Sequence, residues 1–389
     1  MSDLPIIIVG AGMGGLTAAL SLQKFGHQIV IVEQAPQLGE IGAGLTVTPN
    51  ATHALNFLGV GERVDELGDR PIRGGVRHYK TGEVLVSTVR GEEIYENYHA
   101  RYYQIHRADM HQILRDAVQA NDPDCILLDH TVHKVTQTPK DVTAHCSKGQ
   151  KVTGRVLVGC DGLRSVVRAN LMHEPPPHFT GQVAWRGLVP VDPVIKEIMN
   201  PTSAISIGPG RIFTRYYVRH GALVNYVAIA EKGDWREEGW TIPSTIEELL
   251  AEYQDFHWTV QTIIKATPPH LLYKWALFDR DPVEHWTHGR ATLLGDAAHP
   301  MLPFLGQGAA QAIEDGCVLG RCFGATSDDL DALRRYEKER RPRANRILLE
   351  SREQGKRFQS QNPDGYDREK HKSAEPAELF GYNPATVPV

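Results

Sequence analysis

The sequence predicts an α/β fold: a Rossmann-type domain of parallel strands interrupted by a mostly antiparallel β-sheet domain. Three observations predict it. A strand, a glycine turn, a helix and a second strand follow one another between residues 5 and 33, the length of one β-α-β unit. Two later strands, VLVGC before Asp161 and TLLGD ending at Asp296, run into acidic loops. Between about 180 and 230 the apolar period falls to two, as in VAWRGLVPV and LVNYVAIA, with HG and GPG turns separating the runs.

In chain order, residues 5–9 are a short β-branched run, and residues 14–26 have helical composition ending at Gly26, a residue suited to the left-handed position after a helix. His27 to Glu33 is the second strand. Residues 73–89 break into strand-like pieces at Gly75 and Gly82, and residues 107–119 return to a helix with apolar positions at Met110, Ile113, Leu114 and Val118. Three strands are expected across 125–160, a strand at 291–294, a helix from Gly308 to Leu319, and a long charged helix over 328–357. The long helix is expected to be a solvated face with paired charges. The tail from Gln359 to Glu375 is polar and loosely ordered by composition, whereas Leu379-Phe380-Gly381-Tyr382 can clamp onto a neighbouring surface. The chain therefore divides into a discontinuous cofactor domain (1–73 with 101–178 and 276–325), a substrate domain (74–100 with 179–275), and a C-terminal helix and tail (326–389).

Composition narrows the class. With 42 Lys and Arg against 47 Asp and Glu the formal charge is -5, which lacks the basic footprint of nucleic-acid binding. Five cysteines without C-x-x-C spacing read as reduced thiols in a cytoplasm, with no metal site. Residues 5–22 carry no charge, but the glycines at 10, 12, 14 and 15 and the absence of a basic leader argue for a buried strand, turn and helix rather than a membrane anchor.

The chemistry starts at Gly10-x-Gly12-x-x-Gly15, directly after a strand and opening a helix. Gly10 makes the tight turn, Gly12 lets backbone approach a diphosphate at the helix N-terminus, and Gly15 permits close packing of helix on strand. Glu33, at the end of the next strand, is placed to accept from ribose hydroxyls. The alternative is a glycine turn without a ligand, which the ordered strand, turn, helix, strand and acid disfavour. Asp161-Gly162 and Asp296-Ala297-Ala298-His299-Pro300 follow the later strands, with a helix starting at Gln307-Gly308. Over residues 5–350 this set resembles the group A, p-hydroxybenzoate-hydroxylase-like flavoprotein monooxygenases.

The resemblance implies FAD as cofactor, NADH or NADPH as co-substrate, and O2. It implies that Gly10, Gly12, Gly14, Gly15 and Glu33 hold the ADP half, that Arg107 contacts the cofactor, and that Asp161 and Gly162 serve both FAD and the nicotinamide donor. It further implies that Asp296 binds the ribityl chain and that Gly308 and Ala309 lie against the pyrimidine edge of the flavin. A helix N-terminus there suits the negative charge of reduced flavin. No second G-x-G-x-x-G serves the reductant, as the family leads one to expect. Arg168 is open to two readings, a pyrophosphate contact or a surface arginine.

Within the family, Val183-Ala184-Trp185-Arg186-Gly187-Leu188, the loop 296–300 and the LFGYN tail resemble the salicylate hydroxylase, 3-hydroxybenzoate 6-hydroxylase and 6-hydroxynicotinate 3-monooxygenase branch. The implied reaction passes through a flavin C4a-hydroperoxide that delivers oxygen to an electron-rich ring. A pocket histidine of the last two of these enzymes becomes Ile212, the tyrosine four residues on is kept as Tyr216, and Pro303 or Phe304 stands where those two carry Gln or His. Alternation puts Ile212, Thr214 and Tyr216 on one strand face, a largely apolar wall that favours salicylate. Tyr216, Pro300 and His299 are the expected catalytic positions, with His299 read as either a base or a turn residue. The rivals are a hydroxypyridine, 3-hydroxybenzoate or urate-like substrate and, from another class, a flavin-binding protein without turnover. The expected partners are a small aromatic substrate, the nicotinamide donor and oxygen, with no nucleic acid or membrane, for a monomer or homodimer.

Overall fold

The computed structural model describes residues 4–39, 43–172, 176–233, 235, 237, 239, 242–366 and 376–389. Ile6–Val9 is buried on both faces at the centre of a six-stranded sheet. It pairs in parallel with Ile29–Val32 on one side and Val156–Gly159 on the other, and Val156–Gly159 pairs in parallel with Ala291–Leu293. Doubly covered parallel strands read as unbroken β-branched runs, and IIIV, IVIV and VLVG are such runs.

Helix α1 (Met13–Lys24) follows the first strand, and Gly26, at φ +78°, turns the chain back as expected. Helix α2 (Pro49–Phe57) starts on a proline, whose missing N–H costs nothing in the first turn. Helix α3 (Arg107–Asn121) buries Met110, Ile113, Leu114 and Val118. Helix α4 (Gly308–Ala325) continues past Leu319 because Cys322 and Phe323 are still in the core. It crosses α1 at two glycines: a Cβ on Gly316 would stand 2.6 Å from the Ala18 amide nitrogen, and one on Gly320 would overlap Ser21.

Helix α5 (Asp329–Phe358) differs from the expected solvated face. One stripe of it, including Tyr336, Arg340, Ala344, Ile347 and Leu348, is buried, because α4 supplies carboxylates beneath Arg340. Helix α6 (Pro376–Phe380) lies near the end of the chain. Of the polar tail, residues 367–375 lie outside the described residues. The LFGYN segment does clamp, onto its own chain: Leu379 and Phe380 bury beside Tyr102 and Ile347, and the Tyr382 ring covers Arg343 at 4.0 Å.

Residues 125–160 hold five strands rather than three. Ile126–Leu127 joins the edge of the parallel sheet, Val132–Gln137, Val142–Cys146 and Lys151–Gly154 form a separate antiparallel sheet, and Val156–Gly159 returns to the parallel sheet. The last change of sheet passes through Gly154 and Arg155 without a turn signal. A Cβ on Gly154 would meet the Pro5 carbonyl at 2.5 Å.

The second large sheet has eight strands in the order Ile242–Pro243, Tyr273–Asp279, His178–Pro190, Leu223–Glu231, Arg211–Val218, Ser203–Gly208, Arg73–His78 and Val84–Val89. Gly75 lies inside a strand, so only Gly82, at φ +72°, interrupts 73–89. One face of this sheet, with Trp185, Phe213 and Tyr226, is closed by two helices through Leu249, Tyr253, Val260 and Ile263. The other face carries Ile207, Ile212, Ile229 and Trp275 and meets Leu302 and Phe304 of the loop before α4. Among the described residues no helix is long and apolar enough to cross a membrane.

The α1–α4 crossing yields a first prediction. Gly316→Ala puts a methyl against backbone that cannot move away, so it should cost about 1–3 kcal/mol, read as a lower urea midpoint with an unchanged slope.

Candidate active site

The parallel register brings the predicted acids together. Val9 pairs with Val32 and Gly159, and Gly159 with Leu293, so Gly10, Glu33, Asp161 and Asp296 all leave the same carboxyl edge of the sheet. In open α/β sheets that edge is where ligands bind. Gly10 adopts φ +101°, and a side chain there would strike the Cys160 carbonyl at 2.6 Å. The Glu33 carboxylate accepts from the Ala11 amide at 2.7 Å and the Ala35 amide at 2.8 Å, tying the second strand to the glycine turn.

The four glycines divide their work. Gly12 caps α1 and has nothing within 4 Å of its Cβ position, so the first-turn amides stay open. Gly15 packs on the Gly10 carbonyl. Gly14 faces away from the turn, against Leu294 and Ala312, which makes it a packing residue. Asp161 spends its oxygens inside its own loop, accepting from the Ser165 hydroxyl at 2.5 Å and the Val167 amide at 3.0 Å. Gly162 stands open at φ +78°. Arg168 matches neither sequence reading: it is buried and donates to the Ala297 and Ala298 carbonyls at 3.2 Å, bracing the loop after Asp296.

Asp296 presents an accessible carboxylate in a crevice otherwise deep in the protein. Desolvation pushes its carboxyl above the ordinary value, against the pull of His299 and Arg107. Arg107 begins α3, its amide donating to Ala43 at 2.7 Å. Gly308 and Ala309 form the first turn of α4, whose preceding residue, Gln307, offers no side-chain cap: its Oε1 accepts from the Asn50 amide at 3.1 Å and its own amide donates to the Thr48 hydroxyl at 3.0 Å. Pro300 is buried on the loop between these elements.

His299 is almost fully buried and lies behind that loop. Its Nε2 meets the Asp315 carboxylate at 2.5 Å and its ring packs on Trp286. Asp315 also accepts from the Gly295 amide at 3.1 Å and from Arg340 at 2.8 Å. Burial pushes the Asp315 carboxyl up, but His299 and Arg340 overcome it and hold it below the usual range. The next carboxylate, Glu314, pairs with Arg340 at 2.5 Å and Arg343 at 2.8 Å and accepts from Asn50 at 2.5 Å. The sequence reading missed this network.

Across the crevice stands the open face of the eight-stranded sheet. Ile212, Thr214 and Tyr216 do share that face, beside Ile207, Ile205 and Ser203 of the next strand. Phe304 packs with Ile212, whereas Pro303 is exposed. The face is less apolar than expected: strand register adds Ser203, Asn225 and Arg186 to it. Gly44, on a strand paired with His106, touches it directly. The Gly44 amide donates to Asn225 Oδ1 at 2.6 Å, and a Cβ there would press on the Tyr216 ring at 2.5 Å. Burial pushes the Tyr216 phenol up, with a smaller contribution from Tyr102.

These residues fit FAD. Open amides at Gly12 suit a diphosphate, Glu33 and Asp296 are acceptors for sugar and polyol hydroxyls, and the uncapped start of α4 suits an anionic ring edge. The FAD binding domain family matches residues 3–351. The chain is 37% identical to a 3-amino-4-hydroxybenzoate 2-monooxygenase of Streptomyces platensis, covering 92% of this chain and 89% of that one. It is 34% identical to a 3-hydroxybenzoate 6-hydroxylase of Aquipseudomonas alcaligenes, covering 89% and 87%. Among solved structures, a salicylate hydroxylase substrate complex superposes with a TM-score of 0.82 at 26% identity, covering 100% of this chain and 99% of that one. Klebsiella pneumoniae HpxO with FAD and uric acid shares the fold, with a TM-score of 0.86 at 23% identity over 98% and 96% of the chains.

The buried network makes two predictions. Arg340→Met removes the cation that reaches both adjacent carboxylates, leaving Arg343 and His299 to hold one each, and should cost about 3–5 kcal/mol in chemical denaturation. The depressed native value of Asp315 means that its contribution to stability is present above the ordinary carboxylate range and lost as pH falls through the native value. Asp315→Asn should therefore lower stability at neutral pH and flatten its loss on acidification, measured as urea midpoints from pH 6 down to 3.

Proposed function

We infer, from the premise that the chain belongs to the FAD binding domain family and is an FAD-dependent aromatic monooxygenase, that it hydroxylates a small ring bearing a hydroxyl and a carboxylate, with NAD(P)H as electron donor and O2 as oxygen source. The observation that carries this reading is the meeting at Gly44. There a strand of the cofactor side touches Tyr216 and Asn225, so a ring held on the sheet face lies next to the flavin crevice.

Bound FAD supplies the chemistry of accepting two electrons from the nicotinamide donor and passing them to oxygen. The chain does the rest. Tyr216, kept protonated by its burial, donates a hydrogen bond to the ring substituent. Apolar clusters on either side, Ile212 with Phe304 and Leu188 with Val218, keep water from the reacting space. The start of α4 at Gly308 and Ala309 stabilises negative charge on the cofactor edge, and Pro300 closes the loop beside it. His299 acts as a positioning residue through Asp315 and Gly295.

Salicylate remains a candidate, but its advantage narrows. The apolar wall that favoured it also carries Thr214 and Asn225, whose Nδ2 has no partner among the described residues, polar groups that suit 3-hydroxybenzoate, 3-amino-4-hydroxybenzoate or 6-hydroxynicotinate as well. The purified holoprotein should oxidise NAD(P)H faster with one member of this panel and release a hydroxylated product. No stimulation by any hydroxylated aromatic acid would defeat the reading. Asp296→Ala should weaken FAD retention about 10- to 150-fold in a dialysis or fluorescence titration, since it loses a charged hydrogen bond. Tyr216→Phe should release more hydrogen peroxide per NAD(P)H consumed, because the ring is held less firmly.

A further inference from the structure

One cation on the open sheet face remains outside every network described above. Arg90 follows the edge strand Val84–Val89, its backbone anchored by a hydrogen bond from its amide to the Ile72 carbonyl at 3.0 Å. Its side chain folds back over Gly74. Arg90 Nε and Cγ lie 3.6 and 3.7 Å from the position a Gly74 Cβ would take. Its guanidinium stacks 4.8 Å from the centre of the Tyr102 ring. Among the described residues no carboxylate pairs with it. By contrast, Arg101 pairs with Glu92, and Arg186 is buried against Tyr273 and Trp275.

Register places this cation in line with the pocket. Gly74 pairs with Ser203, Ser203 with Tyr216, and Tyr216 with Asn225, so the four form one row across the sheet with side chains on the crevice side. Because strands lie about 4.8 Å apart, Gly74 and Tyr216 are separated by roughly 10 Å. That backbone spacing is of the order of the length of a substituted benzene ring. A Cβ at 74 would press on Thr88 Oγ1 at 2.9 Å and lie in ordinary contact with Arg90, so the bare glycine lets the arginine lie along the row. Stacking on Tyr102 holds the guanidinium by its face and leaves its edge of paired N–H donors open.

We propose that Arg90, seated between Gly74 and Tyr102, is the specificity-determining residue that receives the carboxylate of the aromatic substrate, with Tyr216 at the opposite end of the ring. This rests on the reading of the substrate as an aromatic acid. The planar fork matches a carboxylate in two parallel bonds, and the partly enclosed position strengthens them. Tyr102 belongs to the apolar cluster against which Met301 and Leu305 pack, so acid binding is linked through that cluster to the loop that follows Pro300.

The test compares acids with their neutral amides on the FAD-loaded protein: 3-hydroxybenzoate against 3-hydroxybenzamide and salicylate against salicylamide, with dissociation constants read from the shift in flavin absorbance. The wild type should favour at least one acid over its amide by tenfold or more. Arg90→Gln should weaken that acid about 10- to 100-fold and leave the amide affinity and FAD content unchanged, which reports an intact fold. Arg90→Lys, which keeps the charge but loses the fork, should fall between the two. If Arg90→Gln retains the wild-type ratio, the assignment of Arg90 is wrong and the aromatic-acid reading stands. If the wild type itself shows no preference for either acid, both fall.

Discussion

Glu314 and Asp315 sit side by side in the interior of α4 with no access to water, and the catalytic edge of the molecule is organised by what it takes to keep them there. Two adjacent buried carboxylates are untenable unless cations and donors surround them. Arg340 reaches both, Arg343 holds Glu314 from the other side, and Asn50 and Gln311 donate to Glu314 as well. Apart from the bond from Gln311, which is within α4, these bonds tie other elements to that helix. Asn50 brings α2, the arginines bring α5, and the Gly295 amide on Asp315 brings the loop that carries Asp296. Gln307, also bonded to Asn50, sets the first turn of α4. The end of the chain seals the assembly: Arg343 donates to the Glu378 and Leu379 carbonyls, and Tyr382 covers its guanidinium.

The parts of this fold that were legible in the sequence are those in which one local pattern has one physical solution. IIIV, IVIV and VLVG are buried on both faces and have to be central parallel strands, so the positions just after them, Gly10, Glu33 and Asp161, had to share an edge. The apolar spacing of α3 was readable for the same reason. The charged stretch of α5 was not. Arg340 lies in a run of alternating charges indistinguishable from a solvated face, and only the position of α4 beneath it decides its burial. A signal was present on the other partner: Glu314 and Asp315 interrupt an otherwise uncharged run between AAQAI and GCVLG. Charges so placed call for buried counter-charges. Arg168 shows the same limit, since its role depends on a loop more than a hundred residues away in sequence.

The substrate face was half legible. Alternation along Arg211–Val218 put Ile212, Thr214 and Tyr216 together, and the same parity along VAWRGL would have put Arg186 on that face. The role of Arg90 could not be read in advance. It lies past the end of its strand, and its place beside the row follows from the parallel pairing of Arg73–His78 with Ser203–Gly208. That crossover pairing is nonlocal, and no periodicity announces it.

The two faces of the eight-stranded sheet explain why one scaffold can serve several rings. Its far face, built on Trp185, Phe213, Tyr226 and Tyr253, carries the packing that makes the sheet stable. Positions on the near face alternate with these along the same strands, so they can change without opening that core. The cofactor edge has no such freedom. Glu33 holds the glycine turn through two amides, and Asp315 holds the Asp296 loop, so a substitution at either edge disturbs backbone as well as ligand. Variation is therefore confined by packing to the row from Gly74 to Asn225 and its neighbours. In this chain that row is flanked by the apolar Ile212 and ends beside Arg90. On the proposed reading Tyr216 takes the ring hydroxyl, and the ring's orientation then depends on what holds its other end.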